Sequence, residues 1–306
     1  MRHFLDLANW SPDELMGLLK RAVDLKTSHA QAGGNEPLLA GKTLGMIFQK
    51  PSLRTRVSFD VAMAHLGGHS VMIAPQEVQL GERESIPDVA RVMSGYVECI
   101  MARVFEHRHI TEMAKYASVP VINGLSDDHH PCQALADMLT IYETFDRIEG
   151  LRIAYVGDGN NVAASLMTAA TKLGAHFSIA TPSGLELSQQ VWEKAISQAS
   201  DYTVDMKGYD DPVQAVQDAH VIYTDTWVSM GQEAERDQKI QRFDGFQVND
   251  RLVEKARDDV IVMHCLPAHR GEEITDAVMD GEHSAVFQQA HNRLHAQKAL
   301  LVELMG

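Results

Sequence analysis

Hydrophobic positions along this chain come in two textures. Near the start, Leu15, Leu18, Leu19, Ala22 and Val23 recur at helical spacing behind the segment SPDEL. There Ser11 serves as N-cap, Pro12 takes the first helical position and Glu14 completes a capping box. Beyond AGGNEP the apolar residues gather into short continuous runs: TLGMIF, SVMIA, ECIMAR and VPVIN. Such runs predict buried strands, with helical patterns between them near 54–66, 85–95 and 108–117. A long helical pattern at about 131–145 bridges to a second series, with strands at LRIAYVG, HFSIAT, HVIYTD and DVIVMH. Helical patterns near 161–173, 188–199, 211–217 and 233–257 accompany it, and a last one runs from about 284 to 304. Repeated strand–helix alternation predicts parallel sheets covered by helices on both faces. The expected fold class is therefore α/β, with two doubly wound parallel-sheet domains joined by interdomain helices.

Composition narrows the function. The 306 residues suit about two domains, and 45% hydrophobic residues are enough for real cores. A formal charge of −15 argues against nucleic acid or an anionic membrane as partner, because their phosphates would be repelled. Cys99, Cys132 and Cys265 are odd in number and widely spaced, so no disulfide framework or zinc ribbon is indicated, and a reducing, cytoplasmic setting is expected. No signal peptide and no run of about 20 apolar residues is seen.

In open α/β sheets, ligands bind beyond the carboxyl ends of strands, so the strand ends are where chemistry is sought. KPSLRTRVSFD follows TLGMIF and concentrates positive charge and small hydroxyls in an acidic chain. Ser52 would cap the next helix, whose free N–H groups and dipole favour an anion, and Arg54 and Thr55 add donors to the same turn. An ordinary capped helix with surface arginines explains the stretch about as well. Arg103 closes an apolar strand, where a charge is costly unless used. Gln79 lies at the centre of the polar loop EVQLGERES. In LSDDHHPCQALADML the residues His129, His130 and Cys132 would point apart around a helix start, which argues against a metal. YVGDGNNVAAS holds Gly157 and Gly159 but has Val162 at the third glycine position of a dinucleotide fingerprint. The following strand does not end in an acid, so a nicotinamide dehydrogenase is the weaker reading. Asp225 stands at the end of HVIYTD, and Cys265 just past DVIVMH. A cysteine there is most often a small buried hydrophobe, but its place at the ligand-binding edge favours chemistry.

Taken together, SLRTR, HPCQALAD, GDGNNVAAS, DTWVSMGQE and HCLPAHRGEE resemble the ornithine branch of the aspartate/ornithine carbamoyltransferase family in order and spacing, over essentially the whole chain. HPCQALAD marks the wider family; DTWVSMGQE with HCLPA points to ornithine as acceptor. Leu53 departs from the common S-T-R-T-R, and Ala164 stands where Asn is frequent.

The resemblance implies transfer of a carbamoyl group from carbamoyl phosphate to ornithine, giving citrulline and phosphate, with no cofactor and no metal. It implies a carbamoyl-phosphate domain over 1–133, with the closing helix of about 286–306 packed back on it, and an ornithine domain over 134–285. Ser52, Leu53, Arg54 and Thr55 would hold the phosphate, with Gln79 reaching in from a neighbouring subunit. Arg103, His130 and Gln133 would grip the carbamoyl end. Asn161, Asp225, Ser229 and Met230 would hold ornithine. Cys265, Leu266 and Arg293 would line the reacting centre, with Arg103, His130, Asp225 and Cys265 carrying the chemistry. Domain closure, with carbamoyl phosphate binding first, and a homotrimer or multiple of trimers are further expectations. Another acceptor, such as putrescine or acetylornithine, is the near rival, and a non-catalytic relative the distant one.

Overall fold

The computed structural model describes residues 1–199, 202–228 and 236–306. They form two compact units, Met1–Leu139 with His291–Gly306, and Thr140–Ala290. The first unit holds α1 (Pro12–Ala32), β1 (Thr43–Phe48), α2 (Leu53–His65), β2 (His69–Ile73), α3 (Pro75–Val78), α4 (Ile86–Met93), β3 (Cys99–Arg103), α5 (His107–Tyr116) and β4 (Val121–Leu125). Helix α6 (Pro131–Phe145) runs from the first unit into the second. The second unit holds β5 (Arg152–Val156), α7 (Asn161–Lys172), β6 (His176–Ala180), α8 (Gln189–Gln198), β7 (Met206–Tyr209), α9 (Pro212–Val216), β8 (Val221–Thr224), α10 (Arg236–Arg242), α11 (Asp250–Val253), β9 (Ile261–His264) and α12 (Asp276–Met279). Helix α13 (Val286–Met305) returns to the first unit. Among the described residues, no helix is long and apolar enough to cross a membrane.

Among the described residues every strand pairing is parallel, as the strand–helix alternation predicts. The sheet orders are β2-β1-β3-β4 and β7-β6-β5-β8-β9. Central strands are buried along nearly their whole length because helices cover both faces. Of the edge strands, β2 and β7 carry no fully buried residue, whereas β4 and β9 are mostly buried. In each sheet the chain winds outward in both directions from an inner pair, β1/β3 in the first and β5/β8 in the second. These pairs are the switch points, where loops diverge and leave a crevice at the carboxyl ends. Register sets Phe48 opposite Arg103 and Val156 opposite Thr224. The segments after β1 and β3 thus meet at one crevice, and those after β5 and β8 at the other.

Two expectations need correction. The helical pattern at 233–257 is broken: α10 and α11 are separate, and Phe243, Phe246 and Val248 between them are buried in the core of the second unit. Gly245 at φ 83° makes the break, in a region that favours glycine. Strand β7 is not among the expected elements, because MKGY lacks an apolar run; among the described residues it pairs with β6 alone, at the edge.

The glycine turn after β5 has a local explanation. A Cβ on Gly159 would lie 2.4 Å from the Leu185 carbonyl oxygen and 2.6 Å from the Leu187 nitrogen. Gly159 also donates its N–H to Leu185 at 2.9 Å. The space that a side chain would need is filled by the chain's own backbone. Replacing Gly159 with alanine is therefore expected to destabilise the protein by about 1–3 kcal/mol, and the melting temperature should fall by about 2–4 °C per kcal/mol. An unchanged melting curve would contradict this account of the turn.

Candidate active site

In the first unit, the site begins at the start of α2. Ser52 is in an extended conformation and its Oγ accepts from the Thr55 N–H at 3.3 Å. The first turn of α2 carries no acidic residue, so its positive dipole end is not neutralised from within. Arg54 is half-buried in that turn, whereas Arg56 is exposed. Thr55 is buried, and its Oγ1 accepts from Arg293 Nη2 at 3.2 Å. Arg293 Nη1 donates to Gln133 Oε1 at 2.8 Å, and Gln133 Nε2 donates in turn to Asp137 Oδ1 at 2.8 Å. Asp137 was not foreseen. It is fully buried one helical turn beyond Gln133 and orients the amide toward Arg293.

Arg103 and His130 are both 6% exposed. Burial, followed by the charges of Arg293, Arg103 and Arg54, holds the His130 imidazole well below its usual titration range. His130 is thus neutral at physiological pH and can donate a hydrogen bond without adding charge. Lys50 is also pushed down, first by burial and then by Arg103. An acidic chain has therefore built a strongly positive local field at the β1/β3 switch point, suited to a small anion.

The neutral state of His130 has a consequence for stability. Its folded pKa is depressed, so below about pH 6.5 the unfolded chain binds more protons than the folded one. Stability from this residue is present above that pH and is lost as pH falls through and below it. His130→Gln should flatten the fall in unfolding free energy between about pH 7.5 and 5.5, measured by urea melts. The depressed His3, His65 and His220 continue to contribute the remainder. An unaltered slope would mean that His130 is not held neutral.

Gln79 caps α3 in the left-handed region at φ 45° and is exposed. Leu53 and Val57, one turn apart on α2, are 74% and 48% exposed. They border a cleft of about 460 Å³ that is also lined by Ser52, Arg56, Asp60 and Met72.

In the second unit, Asp225 follows β8 and is 5% exposed. Its Oδ1 accepts from Cys265 Sγ at 2.9 Å and from Thr226 N–H at 2.8 Å, and its Oδ2 accepts from Asn160 Nδ2 at 2.8 Å. Asn160 was missed in favour of its neighbour. It is the N-cap of α7, its Oδ1 accepting from Val162 and Ala163, so one side chain both starts the helix and orients the carboxylate. Asn161 is half-buried at the first position of α7. Nearby Asp158 forms an ion pair of 2.6 Å with Lys239, both buried. Burial raises the Asp158 pKa while Lys239 opposes the rise. Ser229 and Met230 lie outside the described residues.

Cys265 is half-buried, whereas Cys99 and Cys132 are fully buried and burial pushes both of their thiols up, Cys132 to about 12. Those two are inert packing groups; Cys265 has access. The loop that presents it is held by His264. Leu266 N–H donates to His264 Nδ1 at 2.8 Å, which leaves the ring proton on Nε2, 3.0 Å from Glu273 Oε1. Leu266 itself is at φ 58° and precedes a cis bond to Pro267. A non-glycine residue in that left-handed conformation costs about 1–2 kcal/mol. The His264–Glu273 contact, fully buried on both sides, holds it there.

The fold agrees with comparisons to known proteins. Residues 2–143 match the carbamoyl-P binding domain of the aspartate/ornithine carbamoyltransferases, and residues 149–304 match their Asp/Orn binding domain. An ornithine carbamoyltransferase of Anoxybacillus flavithermus is 53% identical over 304 residues, covering 99% of this chain and 96% of that protein. An anabolic ornithine carbamoyltransferase of Pyrococcus furiosus is 54% identical over 305 residues, covering 100% and 96%. The solved structure of an ornithine carbamoyltransferase from Pyrococcus furiosus superimposes with a TM-score of 0.96, covering 100% of this chain and 97% of that one. These matches, over both domains and essentially the whole length, lead to one conclusion: the chain belongs to the aspartate/ornithine carbamoyltransferase family.

Proposed function

We propose that the chain transfers the carbamoyl group of carbamoyl phosphate to the side-chain amine of L-ornithine, giving L-citrulline and phosphate. The observation that carries the site assignment is the bonding of buried Arg293 to both Thr55 in the first turn of α2 and Gln133 in α6, where the buried His130 is held neutral by burial and by the charges of Arg293, Arg103 and Arg54. This is a cradle for a dianion with a neutral donor inside it. Ser52, Arg54 and Thr55, with the N-terminus of α2, take the phosphate. Leu53 contributes its backbone to the same turn. Arg103 and His130 take the carbonyl oxygen, where negative charge grows as the amine adds. Gln133, fixed by Asp137 and Arg293, takes the carbamoyl amide.

The amine must attack as free base. An ordinary side-chain amine has a pKa of about 10.4, so reaching the free base at pH 7 costs about 4–5 kcal/mol. The positive field of the arginines and exclusion of water both favour the neutral form. Its lone pair adds to the carbonyl carbon. The tetrahedral centre then collapses, the bond to the phosphate oxygen breaks, and the added nitrogen passes its extra proton to the departing phosphate, which leaves as the hydrogen phosphate dianion. Asp225, held by Asn160, takes the α-ammonium of ornithine; Asp158 is already committed to Lys239. Asn161, Ser229 and Met230 complete the amino-acid site. Cys265, oriented by Asp225, steers the amine, with Leu266 beside it. No covalent cysteine intermediate is needed.

Citrulline formation should be measured with ornithine, putrescine, acetylornithine and aspartate. Turnover with ornithine exceeding the others supports the reading; none with ornithine overturns it. The identity with the anabolic Pyrococcus furiosus relative supports a synthetic role in arginine metabolism. The composition and the free, buried Cys99 and Cys132 support a cytoplasmic setting.

We also infer a homotrimer or a multiple of trimers. Leu53 and Val57 form an exposed apolar pair beside the phosphate-binding turn, and Gln79 is exposed, so a second copy would both cover the pair and receive Gln79. Leu53→Asp with Val57→Asp should lower the mass measured by light scattering toward that of a monomer and raise the KM for carbamoyl phosphate. An unchanged mass would place the subunit contact elsewhere.

A further inference from the structure

The loop between β9 and α12 carries a second group of polar side chains that the carbamoyl chemistry does not use. His269, Glu272 and Glu273 each offer a ligand atom, and these atoms lie within 4.8 Å of one another. His269 Nδ1 is 3.9 Å from Glu272 Oε2 and 4.0 Å from Glu273 Oε2. Glu273 is fully buried. Its Oε1 is occupied, accepting from His269 N–H at 2.6 Å and lying 3.0 Å from His264 Nε2. Its Oε2 is buried and has no hydrogen-bond partner, yet it faces the His269 ring. A carboxylate oxygen kept from water without a donor is costly, and a cation is the usual compensation. Arg236 Nη2 bonds to Glu272 Oε1, which leaves Glu272 Oε2 for the shared space.

We propose that His269, Glu272 and Glu273 bind a divalent transition-metal ion of the zinc or cobalt type. One imidazole and two carboxylates suit such ions, with bonds of about 2.0–2.2 Å. A tetrahedral centre with those bonds has ligand atoms about 3.4 Å apart. The observed 3.9 and 4.0 Å would each shorten by about half an ångström, and the two carboxylate oxygens, within 4.8 Å of one another, would draw together around the ion. His269 Nδ1 would exchange its contact with Thr226 Oγ1, now 3.0 Å, for the ion. The remaining coordination positions are open to water, since His269 and Glu272 side chains are 43% and 29% exposed. The neighbouring trio Asp225, His264 and Cys265 is the alternative, but its donors are already engaged: both His264 ring nitrogens and the Asp225–Cys265 pair have partners. The site lies outside the reaction. Because Glu273 Oε1 also holds His264, the ion fastens the loop that presents Cys265.

Cobalt(II) separates the possibilities. It should be titrated into the full-length protein and followed by calorimetry, absorption and melting. One equivalent should bind, raise the melting temperature and give the visible d–d bands of a protein-bound cobalt centre without a sulfur-to-metal charge-transfer band. His269→Ala and Glu272→Gln, at partly exposed positions, should each weaken binding by about tenfold or more and remove the melting shift. Cys265→Ala should bind as the parent does. Binding lost in Cys265→Ala, a charge-transfer band, unchanged affinity in His269→Ala, or no binding would each overturn the proposal.

Discussion

Replacing Arg103 with alanine is expected to lower kcat by about 10²–10³-fold, the effect of removing one donor from a site that stabilises developing charge. Arg103 ends β3 at the switch point, opposite Phe48 in register, and is 6% exposed. The sheet therefore fixes its backbone, and burial gives its charge a low-dielectric setting where it acts strongly. The proposed role is at the carbonyl oxygen, which gains charge only in the transition state. The loss should thus appear in kcat and in kcat/KM together. Arg54→Gly provides the contrast: Arg54 is proposed to hold phosphate in the ground state as well, so its loss should raise the KM for carbamoyl phosphate far more than that for ornithine. Melting curves guard against misfolding, and steady-state kinetics with each substrate varied reads the outcome. If Arg103→Ala raised only the KM for carbamoyl phosphate, its role would be binding rather than catalysis.

Cys265→Ala should mainly damage the use of ornithine, lowering kcat/KM for that substrate by about 10²-fold or more while leaving the binding of carbamoyl phosphate near its original strength. Sγ donates to Asp225 at 2.9 Å, and Asp225 is held from its other oxygen by Asn160. Groups arranged in this way act as a unit, so their losses do not add. Asp225→Asn with Cys265→Ala should then cost less than the two single effects multiplied. Full additivity would show that the thiol and the carboxylate act independently. Phenotypes swapped between Arg54→Gly and Cys265→Ala would mean that the substrates are assigned to the wrong units.

Particular residues show what is legible in the sequence. TLGMIF is β1 and PCQALADMLTIYETF is α6, residue for residue. The capping box of Ser11 and Glu14 forms as read. These features are local: a run of apolar residues, a proline at a helix start, a hydroxyl three residues before an N–H. Asn160 was missed by one position, because Asn160 and Asn161 are identical as text and only the start of α7 decides which one caps. The pattern 233–257 looked continuous because its apolar residues keep a helical period, but Phe243 and Phe246 turn into the core instead. Strand β7 escaped because an edge strand needs no apolar run.

The sequence by itself determined the alternation of strands and helices, the strand ends where chemistry would gather, and a motif set that marks the family. Tertiary structure alone decided the partners. Arg293 reaches Gln133 across 160 residues and Thr55 across 238, and the His264–Glu273 contact depends on a loop bent at Leu266. The reason is physical. Backbone preference and burial act over a few residues and leave a periodic trace in the chain. Hydrogen bonds between distant side chains depend on where sheet order and register bring strand ends together, and nothing in the local pattern records which ends will meet.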